Sequence, residues 1–480
     1  MMKKILLSAT LLCCLSGCTL NIPPADQYSD PDAITSVQSA RSLLTSAYML
    51  YPHYEFELSV LGNDFCPASL ISYHIDLKNL YLWREDKITQ TAETLWLGYY
   101  NTIASCDVLL ERLDKVLTGS AEEEGQKQAV YAEAKTLRAL CYFQLLRLFA
   151  PAYGSNPEAD GIVLKSQAGL EFPPRSSIRQ CTEFIRSELK EVAGIANRPS
   201  ANGWLSQQAV KYLQAEVELY AGNYGAAAAF AEEVLKQATE EMYRNNSKLW
   251  QEGQFEGRIF AFYSSGNYYT DIQYKEKEGD YFGVNPELDF SGKDNRKAYT
   301  LYPFSLDGSE RMLFGKYNRN HKEGLKNTYI NVMRYSGAVF IAAEAYSRTE
   351  GKEEAARSRI NTYLQACGAE TLAASLKGAS LTQAILKEKY KEFLGEGSNY
   401  FDLKRTRTVP LERREIYGTI QRDRHELRCL QCPGGKSRQQ SAGRNILLGQ
   451  PADQLNGCGG HRRAGRYCGR SGSRRLWSKP

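Results

Sequence analysis

Cysteine and histidine near the C-terminus offer the first conceivable chemistry. Cys429 and Cys432, then Cys458 and His461, form two pairs with the ligand spacing of a zinc ribbon. A ribbon also needs hairpins to bring its pairs together, and no alternating pattern surrounds these residues, so no metal is expected. Gly435-Lys436-Ser437 ends like a phosphate-binding loop, but Leu430 stands where the first glycine is required. The chain has no His-Glu-x-x-His and no Gly-x-Ser-x-Gly elbow. Carboxylate runs such as Glu85-Asp86 and Glu122-Glu123-Glu124 suit solvated helix faces. A glycosidase needs two carboxyls at a set spatial separation, which sequence spacing does not supply. No catalytic residue and no cofactor is therefore assigned.

Cys18 carries a more specific signal. Lys3 and Lys4 precede a short apolar run from Ile5 to Leu15, and Leu15-Ser16-Gly17-Cys18 then resembles a lipobox. A run this short is the core of a signal peptide rather than a membrane span. Residues 1–17 are thus expected to be removed, with the Cys18 thiol carrying a lipid whose buried methylenes hold the protein on a bilayer. Of twelve cysteines, the five in the body (Cys66, Cys106, Cys141, Cys181 and Cys367) are widely spaced and odd in number, which predicts buried free thiols.

Tyrosine is over-used, at 31 residues. Amphipathic rings serve both helix packing and stacking against sugars. Charge is uneven. From Arg422 to Pro480, thirteen cations face three acids, a net +10, which leaves −5 for residues 1–421 out of +5 overall. Eleven of those cations are arginine, whereas lysine slightly outnumbers arginine upstream, and apolar periodicity disappears. Such a break is what an out-of-frame translation gives, with onset between Thr406 and Arg428. An exported protein has little access to nucleic acid, so an arginine-rich nucleic-acid arm is not expected.

The elements that would position any site are helices. Trp96, Tyr100, Ile103 and Leu110 recur at helical steps within 95–113, and Ala134, Leu137, Cys141, Leu145 and Leu148 within 128–149. Helical hairpins are predicted over 206–220 with 224–237, turning at Ala221-Gly222-Asn223, and over 332–348 with 353–367, turning at Gly351. Ala215-Glu216, Tyr220, Gly222 and Ala227 echo Ala343-Glu344, Tyr346, Gly351 and Ala355, a pattern like that of tetratricopeptide repeats. Residues 239–330, rich in Gly, Asn, Asp and aromatics, read as an irregular insert with short strands. The fold class is mainly α: tetratricopeptide-like helical hairpins with irregular loop-rich insertions and a few short strands.

Several stretches in order resemble the SusD/RagB family, nutrient-binding outer-membrane lipoproteins of Bacteroidetes. They are Pro24 and Asp26 with 32–48, Trp96 to Leu110, Ala132-Glu133-Ala134-Lys135-Thr136-Leu137-Arg138 through Phe143, and Arg175-Ser176-Ser177. Asp294 with Arg296, Arg334-Tyr335 with Ala343-Glu344 and Asn361, and Glu392 to Gly397 leading into Tyr400-Phe401-Asp402-Leu403-Lys404-Arg405 follow. The resemblance spans about 18–405, within a helical binding domain taken as 18–421. The uncharged Thr19-Leu20-Asn21-Ile22 lacks the acidic residues that often mark surface export, and the family's ending is not recognisable in 422–480.

The resemblance implies a lipid-anchored, surface-exposed protein of the outer membrane that binds a nutrient, an oligosaccharide first, and passes it to a SusC-like TonB-dependent transporter. It implies no enzyme; a surface glycoside hydrolase and a transporter lid without its own ligand are the alternatives. It also places the ligand on loops away from the repeats. Here these are 63–86, with Asn63, Asp64, Tyr73, His74, Tyr81 and Trp83, and 263–282, with Tyr268, Tyr269 and Tyr281. Trp96 and Trp250, nearer helical patterns, are assigned to the core.

Overall fold

Serine side chains start several of the helices. Ser120 Oγ accepts from Glu123 N (3.2 Å) to open a 29-residue helix, and Ser177 and Gln180 form a reciprocal capping box before the next. The computed structural model describes residues 34–406 apart from 69–73, 166, 169–171, 196–202, 252, 264–273, 276–279, 286–287, 307 and 318–328. Cys18, Tyr73, Tyr268, Tyr269 and the whole basic tail with its zinc-like pairs lie outside the described residues.

The helices are α1 (Val37–Leu50), α2 (Glu55–Leu61), α3 (Ile75–Tyr81), α4 (Glu85–Leu113), α5 (Ala121–Phe149), α6 (Ile178–Val192), α7 (Gln207–Tyr220) and α8 (Tyr224–Leu235). After the insert's short α9 (Glu240–Arg244) and α10 (Arg296–Thr300) come α11 (Tyr335–Ser347), α12 (Glu353–Ala366), α13 (Gly378–Phe393) and α14 (Ser398–Thr406). Antiparallel pairs α4/α5, α7/α8 and α11/α12 stack in sequence, with α6 between the first two and α8 packed on α11. The fold is mainly α with tetratricopeptide-like hairpins, as the small-residue pattern indicated. Close approach is literal at Gly337, where a Cβ would sit 2.0 Å from Tyr212 Oη.

Several helices differ from their sequence reading: α4 begins at Glu85, ahead of the expected 95, and α5 at Ala121, ahead of the expected 128. The stripe on α5 understates its burial: Leu140, Tyr142, Phe143, Leu146 and Phe149 are buried too, because neighbours pack around its second half. Val332 to Arg334, read as the start of a helix, instead end strand β7 (Tyr329–Arg334), which pairs antiparallel with β2 (Arg258–Tyr263). The remaining strands form one sheet in the order β1 (Phe65–Pro67), β4 (Asp280–Val284), β6 (Ser309–Phe314), β5 (Leu301–Leu306), with β3 (Tyr274–Lys275) also paired to β4.

Buried ion pairs join the layers at the motif residues. Glu133 accepts two bonds from Arg41 Nη1 (2.9 and 2.8 Å) and one from Tyr48 Oη (3.2 Å), fastening α1 to α5. Arg138 bridges Asp107 of α4 and Glu188 of α6. Arg296, fully buried, contacts Asp294 (2.6 Å) and Glu388 (2.5 Å). Cys106, Cys141, Cys181 and Cys367 are buried thiols and Cys66 is a half-buried one, all unbridged. No described helix is long and apolar enough to cross a membrane, and no group of His, Cys, Asp and Glu that could hold a metal ion occurs among the described residues.

Candidate functional site

The two aromatic segments singled out in the sequence meet on one sheet. Strand β1 leaves the turn after α2 and pairs antiparallel with β4, matching Phe65 to Val284, Cys66 to Gly283 and Pro67 to Phe282. Ala68 N extends the pairing by donating to Tyr281 O (2.8 Å), while Tyr274 of β3 pairs with Tyr281 from the other side. Residues 65–68 and 281–284, some 200 positions apart, are therefore hydrogen-bonded neighbours. Neither aromatic segment is simply a loop: Tyr81 ends helix α3, and Tyr281, largely buried, lies in β4.

Two short helices flanking β1 end in the same way. In α2, Asn63 N bonds Val60 O and Asp64 N bonds Ser59 O; in α3, Trp83 N bonds Leu80 O and Arg84 N bonds Asn79 O. Both are Schellman closures, which place the residue two beyond the helix in the left-handed region. Glycine fills that place after α7 (Gly222) and α12 (Gly368), but here it is filled by Asn63 (φ 68°) and Trp83 (φ 55°). Asparagine tolerates this conformation; a bulky ring does so at a cost of about 1–2 kcal/mol. Strain of this kind persists where the surroundings hold it and collects at functional positions. Trp83 is half-buried, packed along the core edge beside Tyr81, with Leu82 and Ile75 exposed on the same short helix. An ion pair between Asp76 and Lys87 (3.2 Å) links α3 to the first turn of α4.

Asn63 and Asp64, expected at a ligand, are turned into the fold. Asn63 O accepts from Asn285 Nδ2 (3.0 Å). The fully buried Asp64 carboxylate accepts from Gly395 N (2.9 Å) and Asn399 Nδ2 (3.1 Å), and burial pushes its carboxyl up to about 7. Nearby, Ser59 Oγ accepts from Gly397 N (2.7 Å). The α2 turn thus grips the Gly395-Glu396-Gly397 loop, where both glycines have positive φ and a Cβ on Gly395 would strike the Phe314 ring at 2.3 Å.

That loop aims Glu396 into a cation cluster that the sequence reading did not identify. Glu396 Oε1 lies 2.5 Å from Lys316 Nζ and 3.1 Å from Arg334 Nη2, while Glu392 lies 3.2 Å from Arg334. Burial pulls the Lys316 ammonium below its ordinary range despite Glu396. Trp250 is at the centre, 1% exposed, stacked on Tyr299 with Lys316 Nζ 4.8 Å from its ring centroid. Trp96 is half-buried between Tyr100 and Phe149, with Arg175 over its face. Both tryptophans pack as core residues, and these buried cations are spent on internal carboxylates rather than on a surface site.

Comparison with known proteins settles the family. A model described as the SusD family matches residues 183–444, more than half of the chain. The chain belongs to the SusD family. A second model, described as starch-binding associating with outer membrane, matches residues 23–199. Among solved structures, a SusD superfamily protein from Bacteroides thetaiotaomicron is 20% identical with a TM-score of 0.65, covering 77% of this chain and 89% of its own. A SusD-like carbohydrate binding protein from Bacteroides vulgatus is 20% identical with a TM-score of 0.63, covering 77% and 83%. A SusD superfamily protein from Bacteroides fragilis is 20% identical with a TM-score of 0.62, covering 78% and 91%. These likenesses establish the SusD fold. No curated protein sequence matches the chain.

Proposed function

We propose that this SusD-family chain is a lipid-anchored protein of the outer membrane that binds an oligosaccharide and delivers it to a SusC-like TonB-dependent transporter. Carbohydrate as the ligand is supported by the starch-binding description of the N-terminal family model and by the carbohydrate-binding relative from Bacteroides vulgatus. The single observation that carries the site is Trp83, a bulky ring held at φ 55° where glycine would cost nothing. Its indole and Tyr81 offer the apolar faces on which sugar C–H groups stack, next to the sheet that joins the two aromatic segments. Tyr73, Tyr268 and Tyr269 are retained as candidate contacts from the sequence.

Binding is favoured over hydrolysis because the buried carboxylates described above are engaged by cations, backbone amides or side-chain amides. Mature protein should therefore bind glycans on an array without shortening them; release of reducing ends from a bound glycan would replace this reading with the hydrolase. An array that stays silent would favour the lid without a ligand. For the partner, extraction of outer membranes in mild detergent should recover a large β-barrel protein with the chain.

A further inference from the structure

A cavity of about 50 Å³ lies where α14 crosses the end of α5, and none of its lining residues belongs to the aromatic segments. At roughly 15 Å³ for each water-sized occupant it has room for about three, so a small ion fits and a sugar ring does not. Its charged lining comes from Arg147 of α5, Glu216 of α7, Lys389 of α13, and Asp402, Lys404 and Arg405 of α14. Most of these charges are matched. Asp402 accepts from Lys389 (3.0 Å) and Arg405 (2.8 Å), while Glu344 of α11 accepts from Arg405 and pairs with Arg348. Two groups are not. The buried Arg147 Nε has no hydrogen-bond partner among the described residues, although its Nη2 donates to Gln144 Oε1 (2.8 Å) and its Nη1 stands 3.9 Å from Glu216. Lys404 meets no carboxylate among the described residues: its Nζ donates to the carbonyls of Arg147 (2.6 Å) and Leu148 (2.8 Å), which leaves a third N–H.

We infer that this cavity binds a small monovalent anion of the halide class, chloride first, held by Arg147 Nε and Lys404 Nζ. Five cations (Arg147, Arg348, Lys389, Lys404 and Arg405) here face three carboxylates (Glu216, Glu344 and Asp402), so the surroundings favour a negative guest. A cation drawn out of water without a counter-charge is costly. One anion supplies that charge to Lys404 and accepts the Arg147 N–H in a charge-assisted bond. The Phe143 and Phe401 rings clasp the Arg147 guanidinium, at 4.3 and 4.1 Å from their centroids, and so hold its donor in place. The four oxygens of a tetrahedral oxyanion exceed the space, and Glu216 on the same wall opposes a second negative charge. The ion thus ties α14 to the last turn of α5, whose carbonyls Lys404 already caps.

The test exchanges chloride for gluconate, which is too large for the cavity, around the mature chain at equal ionic strength. Melting temperature is expected to rise with chloride by a near-constant step per decade above the dissociation constant, as binding to the folded state requires. Burial lowers the Lys404 ammonium to about 7 and the anion favours its charged form, so the step should be larger below that pH than above it. Lys404→Met keeps the apolar stem and should lose the step while its far-ultraviolet dichroism stays that of the parent. Should that variant not fold, crystals of the parent soaked in bromide carry the test. An anomalous peak within hydrogen-bonding distance of Arg147 Nε and Lys404 Nζ is expected. Equal melting temperatures in both salts, a step that persists in folded Lys404→Met, or bromide confined to other surfaces would overturn the assignment and leave the cavity to water.

Discussion

Arg405 and Glu344, 61 residues apart, form two parallel hydrogen bonds of 2.6 Å each, guanidinium to carboxylate, with Glu344 fully buried in α11. Asp402 and Arg348 complete the cluster. This bidentate pair is what holds α14 on the helical stack, since Arg presents a planar fork that lysine does not.

Removing one partner should strand a buried charge. Arg405→Ala is expected to lower unfolding free energy by about 3–5 kcal/mol, and Arg405→Lys to recover only part of it. Urea denaturation of the mature protein measures both; equal stability of the Lys variant and the parent would show that charge alone suffices.

Trp83 separates ring from backbone. Trp83→Ala loses the ring and keeps the left-handed strain, whereas Trp83→Gly loses the ring and relieves it. The glycine variant should be more stable than the alanine variant by about 1 kcal/mol. Both should weaken a bound oligosaccharide by about 1–3 kcal/mol, the range for stacking on an aromatic ring. Calorimetric titration with an array-selected glycan reads the second effect; undiminished affinity in both variants would remove Trp83 from the site.

Asp64 and Lys404 give opposite pH signatures. The Asp64 carboxyl is raised by burial to about 7, so its stability contribution is full below the unfolded value of about 3.9 and is lost as pH rises through 7. Lys404, lowered by burial to about 7, contributes fully above about 10.4 and loses that contribution as pH falls toward 7. Asp64→Asn should flatten the stability profile between pH 4 and 7, and Lys404→Met between pH 7 and 10. Thermal melts across pH check both, and a slope unchanged in either window would reject the corresponding shift.

Cys18→Ala should abolish metabolic acyl labelling and release the chain from the membrane fraction. Retention of label would place the lipid elsewhere. The tail is checked in the gene: translation in the other frames downstream of Lys404 should yield an apolar, periodic ending in place of the basic one. Early stops in both frames would refute the frame change. The SusD-family match runs past residue 421 to 444, so the junction is best sought across that whole interval.

Much of the architecture was legible because α-helical period, serine caps and glycine turns are local. Ser206, Gly222 and Gly351 mark boundaries that the structure reproduces within a residue or two. The pairing of β1 with β4 was not legible, since three residues such as Phe65–Pro67 carry too little alternation to announce a partner some 200 positions away. The same limit explains Asn63 and Asp64. An Asn-Asp pair in a turn looks like a sugar-binding pair, and only the distant Gly395 and Asn399 reveal it as a clamp. Trp83 was visible as an aromatic, but its left-handed backbone depends on where α3 stops.

The clamp between Asp64 and Gly395 also constrains how this protein matures. If the chain is exported and lipidated as proposed, it emerges from its N-terminus, and the lipid would be attached at Cys18 while most of the molecule is still threading outward. Asp64 meets its amide donors only after more than 330 further residues have crossed. Until then α2 and β1 have no permanent place to rest, and on the proposed route the nascent protein would wait in the periplasm as an open, tethered chain. Holding factors that shield such chains, rather than the intrinsic speed of the helices, would then govern the yield of finished protein at the membrane.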